Sequence, residues 1–178
     1  VLAGPSVLGT LWPGNINDGD PIVLYDQFAD RWFISQFNIS TSNSLLVAIS
    51  TTPDPTGTYN TWEFPMSDFP DYPHYTIWHD AYYITLNVPG GGDIAFALDK
   101  QALIDGETDP AIVGFNLPGI TVNGNTVFSP EPANLLGSIY DANTPGYIVY
   151  LQDDGWSGAI TQDHLKIWEI DLDWVTIA

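Results

Sequence analysis

The chain contains no cysteine, so neither a disulfide nor a zinc–thiolate site can hold it together. Basic residues are nearly as scarce: Arg31, Lys100 and Lys166 face 22 acidic side chains, for a formal net charge of -19. A surface of that sign repels phosphate backbones and anionic lipid, which argues against nucleic acid and membrane surfaces as partners. It leaves divalent cations, cationic partners or a salty medium, and it keeps an aromatic-rich chain in solution. No run approaches the roughly 18 consecutive apolar residues that a spanning helix requires, so membrane insertion is not expected. Also missing are a Gly-x-Ser-x-Gly elbow, a phosphate loop, a dinucleotide fingerprint and an HExxH pair. The sequence opens at Val1 without a charged and then apolar leader, which points to a removed signal or to a piece of a longer protein.

What the sequence does have is punctuation. Among 178 residues, 16 are Gly and 14 are Pro, and they separate short runs rich in β-branched and aromatic residues, the pattern of strands joined by turns. The first set is Pro21 to Asp26, Arg31 to Asn38, Ser44 to Thr52 and Tyr59 to Pro65. The second is His74 to His79, Ala81 to Val88, Asp93 to Leu98 and Ile112 to Pro118, interrupted by a short helix from Asp99 to Ile104 that Gly106 stops. A third set is predicted at Ala133 to Ile139, Tyr147 to Gln152 and Leu165 to Asp171. An acid close to a proline precedes each set: Asp20-Pro21, Asp71-Tyr72-Pro73 and Pro130-Glu131-Pro132. The outer runs Thr61-Trp62-Glu63-Phe64 and Ile167-Trp168-Glu169-Ile170 echo one another. Units of about 50 residues with four antiparallel strands are the size of propeller blades. The expected fold is therefore all-β, with about three four-stranded antiparallel blades at 17–66, 71–118 and 129–174. Three blades cannot close a ring, so flanking blades of the same chain or another subunit are expected to complete it.

Particular residues carry a resemblance. Gly19 to Asp26 followed by Asp30-Arg31-Trp32 resembles the blade opening of large secreted bacterial β-propeller proteins. Asp71-Tyr72-Pro73 with Ile77-Trp78 and Asp80 to Tyr83 resembles the next element, as do Ala97 to Lys100 and His164 to Glu169 ending in Asp173-Trp174. The likeness runs in order over about residues 17 to 174, with His74 where a basic residue is expected. It implies a propeller fold and a secreted or cell-surface bacterial location more than any defined activity.

Three carboxylates, Asp20, Asp71 and Glu131, lie at the starts of first strands, where they would converge at one mouth of a ring. There they would coordinate Ca²⁺ through oxygen. Alternatively they would serve as the acid and base of a glycosidase, whose carboxyls stand roughly 5 to 10 Å apart, or simply shape turns. Asn15, Asn17, Asp18 and Asp20 form an irregular set of oxygen ligands for calcium; the spacing of an EF-hand is not met. Asp153-Asp154-Gly155 reads as a hairpin turn. His74 and His79 point to opposite faces of a predicted strand and cannot share a metal. His79-Asp80 reads as a turn. Trp32, Trp62, Trp78 and Trp168 fall in strands and are expected to pack, whereas Trp12 and Trp156 fall in loops and are the candidate ligand-binding aromatics. Arg31 is expected to pair with an acid such as Asp26. With no complete catalytic constellation, the sequence favours a non-catalytic module for adhesion, glycan or protein binding, or surface assembly, stabilised by calcium. The alternatives are a secreted carbohydrate-active enzyme using Asp20, Asp71 or Glu131, and a structural spacer.

Overall fold

A computed structural model gives the fold and describes residues 4–89, 92–117, 128–137, 139–156, 158 and 160–175. Its regular structure is mostly antiparallel β-sheet, in three sheets laid down one after another along the chain. Sheet 1 is the meander β1 (Gly19–Asp26), β2 (Arg31–Asn38), β3 (Ser44–Ser50) and β4 (Tyr59–Pro65). Sheet 2 repeats it with β5 (Asp71–Ile77), β6 (Ala81–Asn87), β7 (Ala95–Asp99) and β8 (Ile112–Phe115). Sheet 3 comprises β9 (Glu131–Pro132), β10 (Gly146–Gln152) and β11 (His164–Ile170). Helix α1 (Lys100–Asp105) joins β7 to β8; the Asp99 carboxylate accepts from Ala102 N at its start, and Gly106, at φ 73°, ends it.

Among the described residues the three sheets do not close a ring. The predicted strand at Ala133 to Ile139 is also corrected: only Glu131 and Pro132 pair with β10, and 133–137 run on irregularly. Ala133 N still donates to Tyr147 O of β10, but Leu135 N turns to Ile77 O at the end of β5, so past Ala133 propensity yielded to tertiary pairing. Residue 118, the predicted end of β8, lies outside the described residues.

The first strands share a device that the acid–proline reading placed one residue off. In β1 and β5 the register slips by one residue, between Gly19 and Ile22 and between Asp71 and His74, so each carries a bulge. The residue before the proline is left-handed every time: Asp20 at φ 48°, Tyr72 at 52° and Ser129 at 52°. The equivalent positions are therefore Asp20, Tyr72 and Ser129, then Pro21, Pro73 and Pro130, then Ile22, His74 and Glu131. What repeats is a bent backbone rather than an acid, since only this bend re-aims the strand.

The sheets pack face to face, and the first strands lie nearest each other: β1 touches β5, and β5 touches β9. Between sheets 1 and 2, Phe33, Phe37, Leu45, Val47 and Ile49 meet Tyr75, Ile77, Tyr82, Ile84, Leu86 and Leu98. Phe33 contacts the rings of Tyr75 and Tyr82 at 5.1 and 5.0 Å between centroids. Between sheets 2 and 3, Tyr83, Ala95 and Ala97 meet Ile148, Tyr150 and Ile170. Gly146 is required there, because a β-carbon would collide with the Tyr83 ring. Toward the last strands the sheets separate, leaving clefts of about 530 Å³ between β4 and residues 108–112 and about 300 Å³ between residues 115–117 and β11.

Burial corrects one tryptophan. Trp12 is only 3% exposed: it follows a 3-10 turn at Leu8–Leu11, covers Leu46 and Ala48 on the outer face of sheet 1, and donates to Val47 O at 3.1 Å. A bare apolar sheet face recruits the nearest aromatic, so Trp12 is core rather than a ligand platform. Trp156 remains exposed beside Tyr150. Trp78 is buried, while Trp32 and Trp62 are half-buried and tied by their indole N–H to Pro53 O and Glu107 O.

Candidate functional site

The sequence-predicted carboxylates occupy three different positions of the repeat, so they do not form a ring of equivalent acids. Asp20 is the exposed left-handed residue itself. Asp71 pairs in register with Asn87 before its bulge. Glu131 follows the third proline and meets His74, its equivalent on β5, with Oε2 3.1 Å from Nδ1. That contact links two neighbouring first strands. None of the three lines the clefts between the sheets described here.

The proposed calcium ligands near the start of β1 are largely committed to protein. Asp18 accepts from Ile39 N and Ser40 N at 2.7 Å each and from Ser40 Oγ at 2.7 Å, which closes the β2–β3 turn and lowers its pKa. Asn15 joins Asn38 to Glu63. Glu63 also accepts from Ser42 and Ser44, which hold its carboxyl below the ordinary value. Asn38 is fully buried in this network. Among the described residues, acid oxygens gather instead at the β10–β11 hairpin. There Asp153, Asp154 and Asp163 have ligand atoms within 4.8 Å of one another, beside exposed Trp156. Hydrogen bonds from Gly155 N to Asp153 and from Asp154 N to Asp163 organise the loop.

The densest polar arrangement lies at the other end of sheet 2, around the β5–β6 turn. Asp26, at the end of β1, has no solvent exposure. Its Oδ2 receives Lys100 Nζ at 2.8 Å and the Tyr82 hydroxyl at 2.8 Å, and its Oδ1 receives Phe28 N and Ala29 N. Lys100 also donates to Trp78 O at 2.8 Å and lies over the Phe28 ring, so the pair bolts sheet 1 to sheet 2. Burial pulls the Lys100 pKa down, opposed by Asp26. Arg31, expected to pair with Asp26, instead donates to the carbonyls of Ala29 and Asp30. The burial of Asp26 between sheets puts it beside the helix-borne lysine.

Next to this bolt, a polar cleft of about 370 Å³ opens between sheets 2 and 3, lined by His79, Asp80, Asn143, Thr144, Asp171 and their neighbours. His79 lies in the turn after β5, not in the strand; Nε2 donates to Thr144 O at 2.9 Å and its ring stacks on Tyr140. Its Nδ1 is 3.9 Å from Asp80 Oδ1. Desolvation raises the Asp80 pKa, with His79 opposing. Asp80 Oδ1 and the Tyr83 hydroxyl are both shut off from solvent, and the hydroxyl donates toward the Asp80 carboxyl; burial, together with that bond, raises the tyrosine's pKa. Sequence alone marks this site only as an acid in a turn, because Asn143, Thr144 and Asp171 arrive from the ends of β10 and β11 in sheet 3. Compared with family models, with curated proteins and with solved structures, the chain matches none.

Proposed function

We propose that the chain is a non-catalytic segment of a β-propeller that binds a partner at a bacterial cell surface or in secreted form, through a cationic group seated in the Asp80 cleft. The propeller arrangement is supported by the touching first strands, their repeated left-handed residue and proline, and the outward clefts. The observation that carries the binding reading is a pair of carboxylates, Asp80 and Asp171, lining one cleft in a chain with three basic residues. An ammonium or guanidinium group supplies N–H donors and the charge that two carboxylates ask for. A chain of net charge -19 steers such a partner toward itself. The glycosidase alternative has less support, since Asp20, Asp71 and Glu131 sit at non-equivalent positions and Glu131 is engaged by His74.

Calorimetric titration with N-acetyl-arginine amide and with methylguanidinium tests the reading. Binding is expected for the native chain and is expected to be lost in Asp80→Asn and Asp171→Asn but kept in Asp20→Asn. Equal binding by all four proteins removes it. Calcium is a second reading, favoured by the grouped oxygens of Asp153, Asp154 and Asp163.

A further inference from the structure

The register of sheet 1 decides which backbone groups of β4 are already paired. Thr51 N donates to Thr58 O and Met66 N to Asn43 O. Between them the pairing runs without a bulge, from Ser50 with Tyr59 to Ser44 with Pro65. Hydrogen-bonded pairs alternate with non-bonded pairs along such a ladder. Asn60, Trp62 and Phe64 therefore turn their N–H and C=O toward β3, whereas Thr61 and Glu63 turn both groups outward and Pro65 its carbonyl. β4 is the last strand of its sheet, and among the described residues nothing pairs with that outer edge. The usual protections of an edge strand are absent from it: it has no lysine and no bulge, and its proline is at the final position.

The cleft of about 530 Å³ follows this edge, since it touches five consecutive residues from Thr61 to Pro65. Successive side chains of a strand point to opposite faces, so a cavity lying on one face would touch every second residue. Only the edge is common to all five. The facing wall is also a continuous run, 108–112, leading into β8. Trp62 braces the two walls by donating its indole N–H to Glu107 O at 2.8 Å. Each wall carries an acid, Glu63 on β4 and Asp109 opposite, and no basic residue lines the cleft. Both walls belong to sheets 1 and 2, so the slot is complete whatever sheets lie beyond them.

We propose that this slot takes an extended, lysine- or arginine-bearing segment of a partner protein, which adds to β4 as a fifth strand of sheet 1. Main-chain bonds to Thr61 and Glu63 hold the segment, and its basic side chains answer the acids of the two walls. The net charge of -19 steers such a segment toward the slot. The site is separate from the Asp80 cleft, which opens between sheets 2 and 3.

Fluorescence anisotropy with labelled acetyl-Lys-Val-Lys-Val-Lys-Val-amide tests this on the whole chain. Binding is expected, with amide exchange slowed at Thr61 and Glu63. The counterpart with glutamate in place of lysine is expected not to bind. The basic peptide N-methylated along its whole backbone keeps the charge but cannot donate to a strand. It is expected to bind at least about tenfold more weakly. Thr61→Pro removes one outward N–H and leaves the bonds to β3 in place, so it is expected to melt near the native chain and to weaken the peptide about tenfold. Should that variant melt early, the methylated peptide on the native chain decides. No binding, equal binding of the methylated peptide, undiminished binding by a folded Thr61→Pro, or protection at the β5–β6 turn instead of β4 overturns the proposal. The Asp80 reading stands or falls separately, on its own titration with methylguanidinium.

Discussion

Lys100→Met removes an ammonium that sits 2.8 Å from Asp26 Oδ2 and leaves a carboxylate with no solvent exposure. Methionine keeps most of the apolar stem against Phe28 and Tyr82, so the perturbation is chiefly electrostatic. Removing one partner of a buried ion pair costs about 3 to 5 kcal/mol. Asp26 would still accept from the Tyr82 hydroxyl, Phe28 N and Ala29 N at 2.8, 2.9 and 3.1 Å, which places the expected loss near the lower end, about 3 kcal/mol. For a chain of this length each kcal/mol moves the melting temperature by about 2 to 4 °C, so a drop of about 6 to 12 °C is expected. Thermal melts followed by circular dichroism measure it. The double variant Asp26→Asn/Lys100→Met should be more stable than the two single losses sum to, by about 0.5 to 3 kcal/mol, because the single variants each strand a charge. A drop under about 3 °C, or strict additivity, refutes the claim that this pair bolts the first two sheets.

Further outcomes follow from the same structure. Trp12→Ala strips the cover from Leu46 and Ala48 and is expected to cost about 3 to 5 kcal/mol in a denaturant titration. Asp80 has a raised pKa in the folded state, so its ionised form costs stability once pH rises through that value; Asp80→Asn should melt higher than the native chain at pH 7. That difference should close below the unfolded carboxyl's value, about pH 4, in melts across pH. Glu63 has a lowered pKa, so its contribution is present above the unfolded value and lost as pH falls through the folded one; Glu63→Gln should lower the melting temperature at pH 7 and converge with the native chain in acid. If Asp153, Asp154 and Asp163 bind Ca²⁺, the ion at about 100-fold its dissociation constant should add about 2.7 kcal/mol over chelator, an effect that Asp163→Asn abolishes; no shift on chelation removes calcium.

The strand pattern was legible in the sequence because its cause is local. Runs such as Arg31 to Asn38 and Tyr59 to Pro65 are β-rich and bounded by turn formers, and the observed strands share both boundaries. Helix α1 was legible from Asp99 and Gly106, whose capping chemistry acts within a few residues. The scarcity of cations was equally plain, but not which acid each would meet. Only tertiary structure brought Lys100 to Asp26, across 74 positions from helix to strand end, and only it drew Trp12 onto sheet 1 and set Asp171 beside Asp80. It also decided that the repeating element at the start of each first strand is a left-handed residue and a proline rather than an acid. Propensity and capping are properties of neighbours in the chain, whereas burial of a charge or an aromatic depends on which sheet face arrives above it.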